Sequence, residues 1–205
     1  MKCPVCFVRN GDVTAGNKAL LTERLEPRVT AQYDAVVYDL DGTLTRLRVD
    51  WETVRDEVAA KLQARGMTVE DKTLWELFEL PDEEPLRQLV TGTIAEHERE
   101  GARQSQRLPL AGELPQTVPV GVCSLNAEAA CRIALELHGL DAHVDAIVGR
   151  DTVDRYKPDP APLLYTIDQL GERPEKSLFI GDSRRDAVTA DRAGVDFQYV
   201  DERIG

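Results

Sequence analysis

The sequence lacks any long hydrophobic run. No apolar stretch in its 205 residues approaches the roughly 20 residues that a membrane-spanning helix needs. The first twenty residues carry Lys2, Arg9 and Lys18 without an apolar block, so we expect no secretory signal. With 42% hydrophobic and 30% charged residues, the composition is typical of a soluble globular protein, cytoplasmic by default and with no membrane partner.

Positive charge is also scarce, above all from lysine. Six Lys and nineteen Arg stand against 37 acidic residues, which gives a net charge of −12. Such a field repels a phosphate backbone, so no nucleic-acid partner is expected. Abundant acid with little lysine indicates a halophilic protein with a well-hydrated acidic surface. The alternative, an arginine-rich proteome from a GC-rich genome, would explain the scarce lysine but not the acidity.

A second closely spaced cysteine pair is missing. Cys3 and Cys6 have the spacing of half a zinc ribbon, but a structural zinc site takes four ligands, so zinc here would need ligands from another chain. Cys123 falls in a predicted buried strand and Cys131 on a predicted helix. Both are therefore expected to be core thiols.

Strand and helix patterns alternate along most of the chain. Short apolar runs predict strands at 35–38, 118–123, 144–148, 177–180 and 197–200, with helices between the later ones. This order predicts an α/β fold, a Rossmann-like doubly wound parallel sheet. Residues 1–32 show weak periodicity and are expected to form an appended tail, in part disordered.

A helical block interrupts the alternating pattern after the first strand. The first of its three helices is predicted to begin at Asp50 as N-cap, with Trp51, Val54, Val58 and Leu62 on one apolar face. The second is predicted at 69–78, and the third runs from 85 to 101. We therefore predict a core of 33–45 and 108–205, with a small helical cap inserted at 46–107.

Polar residues follow the ends of the predicted strands, where a parallel sheet binds its ligand. They are Asp39, Asp41, Ser124, Lys157, Asp182 and Asp186. Clustered carboxylates repel one another unless a cation lies among them, and ligands that are all oxygen favour Mg2+ over zinc. A bound Mg2+ in turn favours a phosphate as the substrate group.

The same residues suggest a division of chemical roles. Lys157 and the hydroxyl of Ser124 would hold the phosphoryl oxygens. Asp39 would be the nucleophile, and Asp41 would protonate the leaving oxygen and later deprotonate the attacking water. Simpler roles stay open: Ser124 could only cap the following helix, Lys157 could be a solvated loop residue, and Asp186 could cap a helix or pair with a neighbouring arginine.

Four stretches resemble, in order, the motifs of the haloacid dehalogenase-like (HAD) superfamily: Asp39-Leu40-Asp41-Gly42-Thr43-Leu44, Ser124, Lys157-Pro158, and Gly181-Asp182-Ser183-Arg184-Arg185-Asp186. The resemblance covers about 34–205. The stretch 148–194 is most similar to the branch of phosphoglycolate phosphatase and β-phosphoglucomutase, which carries a helical cap. A lid of this kind would exclude water and select the leaving group.

The resemblance implies a Mg2+-dependent phosphatase that forms an aspartyl-phosphate intermediate on Asp39. Asp41 would act as acid and base, and Thr43 would orient the turn between them.

For the remaining residues, the resemblance implies phosphate binding by Ser124, Lys157, Thr43 and Leu125. The implied metal ligands are Asp39, the backbone carbonyl of Asp41, Asp182, and Asp186 directly or through water.

Other functions compete on the same motifs. Dehalogenase activity is disfavoured because that branch lacks an acid two residues after the nucleophile, where Asp41 stands. A β-phosphoglucomutase-type phosphomutase and a non-catalytic binding or regulatory protein stay open. The expected partner is a small phosphorylated metabolite such as phosphoglycolate, bound by a monomer or homodimer. Arg46 and Arg48, at the predicted cap hinge, could pair with its carboxylate, or could be solvated or paired with nearby acids.

Overall fold

A computed structural model describes residues 32–204 of the chain. The predicted N-terminal tail, apart from Gln32, and the Cys3–Cys6 pair lie outside these residues. The predicted core thiols Cys123 and Cys131 are confirmed, since both are fully buried and free.

The described residues form short strands and helices in alternation. The strands are β1 (Ala35–Tyr38), β2 (Thr45–Arg46), β3 (Gln106–Arg107), β4 (Val120–Cys123), β5 (Ala146–Val148), β6 (Ser177–Gly181) and β7 (Asp196–Tyr199). The helices are α1 (Trp51–Gln63), α2 (Leu74–Glu79), α3 (Glu84–Arg103), α4 (Glu128–Leu137), α5 (Ala161–Gln169), α6 (Arg184–Ala193) and α7 (Val200–Ile204). None of these helices is long and apolar enough to cross a membrane.

Five strands form one parallel sheet in the order β5–β4–β1–β6–β7. The first strand within residues 32–204, β1, is thus the central one, with Val36 opposite Val120 on one side and Leu178 on the other. Helices flank the sheet, so the predicted Rossmann-like α/β class is confirmed. Because all five strands are parallel, their carboxyl ends meet at one edge.

The central strand is apolar throughout because helices cover both of its faces. Side chains alternate between the two faces of a strand. Val36 and Tyr38 accordingly pack in one apolar cluster with α4, whereas Val37 packs in another with Leu163 of α5 and Ala190 of α6. This double burial fixes the register of β1, and with it the position of the residues that follow Tyr38.

The helices α1, α2 and α3 form a lobe with an apolar cluster of its own, which includes Val54, Val58, Leu62 and Leu77. The short antiparallel ribbon of β2 and β3 closes the base of this lobe, with Thr45 opposite Arg107. The ribbon lies at positions 46 and 107, which are the predicted boundaries between the core and the cap. The division of the chain into these two parts stays a prediction.

Two element boundaries and the environment of one side chain differ from the predictions. Helix α2 begins at Leu74 rather than near 69, because Thr73 and Glu76 form a reciprocal capping box and Asp71 takes a left-handed conformation with φ of 57°. Trp51 does not join the apolar cluster of the lobe and is 42% exposed. The last strand ends at Tyr199, because Val200 begins the unpredicted helix α7.

Candidate active site

A cavity of about 490 Å3 lies between the carboxyl edge of the sheet and the helical lobe. The core contributes the predicted site residues Asp39, Asp41, Ser124, Leu125, Lys157, Asp182 and Asp186. The lobe contributes an apolar wall of Trp51, Leu74, Trp75, Phe78 and Ile94. One end of the cavity is therefore charged and the other is mostly apolar. Thr43 is the one predicted site residue that does not line it.

The turn after β1 presents two carboxylates to the cavity. The amide of Asp39 continues the sheet by donating to the Ile180 carbonyl at 2.8 Å, and the chain then turns sharply. Oδ1 of Asp41 accepts from the Leu47 amide at 2.9 Å, so one oxygen of this half-buried carboxylate is fixed to the backbone. Thr43 is fully buried in the turn, and its hydroxyl has no hydrogen-bond partner among residues 32–204.

Gly42 allows this turn to approach the opposite carboxylate. Its φ is +89°, and a Cβ atom at this position would lie 2.0 Å from Oδ2 of Asp182. Gly181 has a similar role at the end of β6, since a Cβ there would lie 2.7 Å from Cβ of Asp186. Both glycines are therefore required by close packing around the carboxylates.

Lys157 lies at the centre of the charged end of the cavity and is only 2% exposed. Its ammonium donates to Oδ1 of Asp39 at 2.8 Å, to the Cys123 carbonyl at 3.1 Å and to Oδ1 of Asp186. Burial lowers the pKa of Lys157, but the charges of Asp39 and Asp186 outweigh that effect and raise it above its ordinary value. The side chain is therefore a fixed positive charge at the carboxyl edge of the sheet.

Asp186 caps a helix, as its sequence context allowed, and pairs with Lys157 rather than with a neighbouring arginine. Its Oδ2 accepts from the amide and the hydroxyl of Ser183, which completes a capping box at the start of α6. Its Oδ1 accepts from Lys157. One carboxylate thus fixes the helix start and belongs to the charged cluster.

Oxygen atoms of Asp39, Asp182 and Asp186 all lie within 4.8 Å of one another. Three carboxylates share the single positive charge of Lys157, so a cation is needed to balance them. The donor set consists of oxygen alone, which suits a hard cation. Gly42 and Gly181 carry no Cβ atom, so the Asp182 and Asp186 side chains keep the space that such an atom would occupy. The residues present therefore fit a divalent metal ion.

The carboxylates of this cluster bind protons more readily than usual. Burial, partly offset by Lys157, raises the pKa of Asp39 to about 7. Burial also raises the pKa of Asp41, although the Leu47 amide opposes this effect. The pKa of Asp182 is raised by burial and by the charge of Asp186. Asp41 thus has the electrostatic environment of a group that can carry a proton to a substrate.

Ser124 opens the loop that follows β4. Its hydroxyl donates to Oδ1 of Asn126 at 3.1 Å and accepts from the Asn126 amide at 3.2 Å, so the side chain is held in place and is 3% exposed. It does not cap α4, whose N-cap is Ala127, although it also hydrogen-bonds Cys131 of that helix. The amide of Leu125 donates to no acceptor among residues 32–204. That amide is free to bind a phosphoryl oxygen.

Sequence reasoning missed several residues that line the cavity. They are Glu98, Asn126, Arg150, Arg185 and the aromatic residues of α2. Glu98 had a signal in the sequence, since it lies four residues after Ile94 on the apolar face of α3, where a charged residue needs a buried partner. Arg150 and the aromatic residues reach the site only through packing between distant segments, whereas Asn126 and Arg185 lie beside Leu125 and Asp186 in the sequence.

Two guanidinium groups of the core lie against aromatic rings of the lobe. Arg185 stands 4.3 Å from the centroid of the Trp75 ring, and Arg150 stands 5.6 Å from that of Phe78. Arg46 and Arg48, by contrast, are exposed and line no part of this cavity. Arg46 instead borders a smaller pocket of about 250 Å3 beside Asp41.

Comparisons with known proteins agree with this arrangement. The model of the family "Haloacid dehalogenase-like hydrolase" matches residues 113–200. A phosphoglycolate phosphatase of Cereibacter sphaeroides is 31% identical in an alignment 186 positions long, which covers 82% of this chain and 84% of that protein. The chain belongs to the haloacid dehalogenase-like hydrolases.

Solved structures share the fold. A HAD-superfamily hydrolase of Geobacter sulfurreducens aligns with a TM-score of 0.55 at 24% identity, over 80% of this chain and 88% of that one. A hydrolase of Pseudomonas syringae aligns with a TM-score of 0.61 at 21% identity, over 80% and 83% of the two chains. The protein is thus a HAD-like, phosphoglycolate phosphatase-like hydrolase. Phosphatases of this superfamily are generally metal-dependent, which matches the acidic cluster found here.

The close approach at Gly42 generates a first prediction. Gly42→Ala should lower the free energy of unfolding by more than about 1 kcal/mol, because a left-handed conformation costs other residues about 1–2 kcal/mol. It should also reduce turnover, since the new Cβ displaces the Asp182 carboxylate. Urea unfolding and phosphatase assays measure the two effects. Gly112→Ala is the control, because no atom lies within 4 Å of its Cβ position. Equal effects of both substitutions would contradict the prediction.

The raised pKa of Asp39 generates a second prediction, for the protein in EDTA. The folded-state pKa is about 7, above the unfolded value of about 3.9. The stability that protonated Asp39 contributes is therefore present below pH of about 4 and is lost as the pH rises through about 7. An asparagine side chain cannot ionise, so Asp39→Asn should melt above the wild type at pH 8 and close to it at pH 4.

Thermal melting across this pH range tests the sign of the effect. Asp34→Asn is the matched control because this side chain is exposed and outside the cluster. A stability difference between Asp39→Asn and the wild type that did not change with pH would show that burial does not hold the proton on Asp39.

Proposed function

We propose that this phosphatase hydrolyses a small-molecule phosphate monoester through an aspartyl-phosphate on Asp39, with Mg2+ as its cofactor. The observation that carries the proposal is the position of Asp39. It lies at the charged end of the cavity, one of its oxygens is held by Lys157, and it belongs to an acidic cluster suited to a metal ion. Asp41 lines the same cavity two residues later.

In the first step, Oδ2 of Asp39 attacks phosphorus, because Oδ1 is engaged by Lys157. The bond between phosphorus and the leaving oxygen breaks, and Asp41 gives its proton to that oxygen. In this step Lys157 would turn one of its three N–H groups, and Ser124 its hydroxyl, from their protein acceptors to the non-bridging oxygens, which the Leu125 amide also holds. The raised pKa of Asp41 supports its role as the acid.

In the second step, water attacks the phosphorus of the aspartyl-phosphate. Asp41, now ionised, accepts a proton from that water, and the bond between phosphorus and Oδ2 of Asp39 breaks. Inorganic phosphate leaves and Asp39 is regenerated as a carboxylate. Asp41 is protonated again, so protons balance over the cycle.

We propose that Asp39, Asp182, Asp186 and the backbone carbonyl of Asp41 hold the Mg2+. When bound, the cation offsets the repulsion between the carboxylates and the anionic phosphate. The oxygen-only donor set supports this assignment. The raised pKa values of Asp39 and Asp182 agree with it, since they reflect burial first and then the charges of the neighbouring carboxylates.

The lobe is proposed to act as a cap that selects the leaving group. Arg185 supports a leaving group with a carboxylate, such as glycolate. Its guanidinium stacks on Trp75 and makes no ion pair or hydrogen bond among residues 32–204, so its in-plane N–H groups are free for a planar anion. The phosphoglycolate phosphatases among the relatives favour the same substrate class.

We expect Asp39→Asn to abolish turnover while the protein stays folded, because an amide is a poor nucleophile and a weak metal ligand. Activity on p-nitrophenyl phosphate should fall well beyond the factor of about 10² to 10⁴ that acid–base catalysis alone supplies. Asp34→Asn should keep wild-type activity. Residual turnover within about tenfold of the wild type would rule out Asp39 as the nucleophile.

We expect turnover to depend on a divalent cation, with Mg2+ preferred and Ca2+ inhibitory, because Ca2+ takes more ligands in looser geometry. Mg2+ should also raise the melting temperature, since it binds only the folded cluster. Asp182→Asn should lose most of this thermal shift. Full activity after exhaustive EDTA treatment would refute the metal assignment.

We expect Arg185→Gln to lower kcat/KM for phosphoglycolate on the order of ten- to a hundredfold more than for p-nitrophenyl phosphate, which has no carboxylate. Arg184→Gln is the matched control, since this neighbour is exposed and does not line the cavity. Arg46→Gln and Arg48→Gln test the expectation that the hinge arginines bind the carboxylate. Equal losses on both substrates in Arg185→Gln would exclude its proposed role.

A further inference from the structure

Glu98 connects the helical lobe to the phosphate-binding loop of the core. It lies on α3 and is 1% exposed. Its Oε2 accepts from the Ala127 amide at 2.9 Å, and its Oε1 accepts from the side-chain amide of Asn126 at 3.3 Å. A carboxylate from the lobe thus takes hydrogen bonds from both the backbone and a side chain of the loop 124–127.

Arg150, which follows β5, neutralises the charge of Glu98 and also binds the loop 124–127. Its two terminal nitrogens donate to the two oxygens of Glu98 at 2.7 and 3.0 Å. One of them also donates to the Leu125 carbonyl at 2.7 Å, and the Arg150 amide donates to the Asn126 carbonyl at 2.9 Å. Glu98 and Arg150 together engage two carbonyls, one amide and one side chain of the loop.

The contacts of Glu98 and Arg150 engage neither the Ser124 hydroxyl nor the Leu125 amide. The Ser124 hydroxyl is oriented by Asn126, whose own side chain is held by Glu98. The Leu125 amide has no acceptor among the described residues, although its carbonyl is engaged by Arg150. Glu98 and Arg150 therefore hold the loop, while the Leu125 amide stays without an acceptor among residues 32–204.

We propose that Glu98 is a positioning residue: by docking onto Asn126, Ala127 and Arg150 it sets the phosphate-binding geometry of Ser124 and Leu125. Phosphate affinity then depends on the lobe being seated on the core. This inference rests on the proposed role of the loop 124–127 in binding the phosphoryl group.

Stability alone does not account for this junction. A buried ion pair is often no more stabilising than apolar side chains of similar volume. Methionines at positions 98 and 150 would fill the space and leave no charge stranded, but they could not accept from Ala127 and Asn126 or donate to Leu125. What the ionic pair adds is a fixed orientation of the loop.

The decisive variant is the double substitution Glu98→Met with Arg150→Met in the full-length protein. We expect this variant to fold with a lower melting temperature than the wild type, because the Ala127 amide and the Leu125 carbonyl lose their partners. The inhibition constant of inorganic phosphate and KM for p-nitrophenyl phosphate should each rise about tenfold or more, as expected for lost charge-assisted hydrogen bonds. The Mg2+ concentration for half-maximal activity should stay within about twofold, because the metal ligands are not part of the junction.

Two further variants complete the design. Glu100→Gln is the matched control, since Glu100 is exposed on the same helix and pairs with Arg103 at 3.2 Å; it should change none of these quantities by more than about twofold. Glu98→Gln keeps one acceptor oxygen and should give an intermediate phosphate affinity. If the double variant does not fold, the phosphate affinity of Glu98→Gln alone tests the positioning role of Glu98.

Wild-type phosphate affinity in a folded double variant would overturn the proposal, as would an unchanged or tighter inhibition constant in Glu98→Gln. Ser124→Ala separates this failure from failure of the proposed function. If Ser124→Ala weakens phosphate binding and the junction variants do not, Glu98 has no positioning role. If Ser124→Ala also leaves phosphate binding unchanged, the phosphate site itself is assigned wrongly.

Discussion

The buried ammonium of Lys157 is the interaction on which the site depends. It joins the end of β1, through Asp39, to the carbonyl at the end of β4 and to the first turn of α6, through Asp186. Removing such a charge from water is costly, and neighbouring carboxylates compensate only when the geometry is close. Without this cation, three carboxylates within 4.8 Å would repel one another and the strand ends would separate.

Arg150 and Arg185 are both arginines of the core, but their contacts give them different roles. Arg150 and Arg185 both lie against aromatic rings of the lobe. The charge of Arg150 is neutralised by Glu98, which makes it a structural joint between the two parts of the chain. Arg185 has no such carboxylate among residues 32–204. The cavity therefore offers one uncompensated guanidinium to whatever enters beside the apolar wall.

The catalytic edge of the sheet could be predicted because its signals are local. A fully apolar strand followed by Asp39 and Asp41, or by Asp182, identifies both the strand and its end. The start of α2 differs from the prediction because the capping box at Thr73 outweighs the apolar residues before it. Glu98, Arg150 and Arg185 could not be assigned, since their roles arise only from packing between segments about 50 residues apart or more.

The central position of β1 has a consequence for how the site comes into being. Lys157 and Asp39 are 118 positions apart in the chain, and β1 pairs with strands on both sides that come much later in synthesis. Contacts of such long range form late, because loop closure must precede them. A nascent chain therefore carries Asp39 and Asp41 without Asp182, Asp186 or Lys157. The electrostatic repulsion within the acidic cluster arises only when β6 and α6 dock, after β1, β4 and β5 have been synthesised.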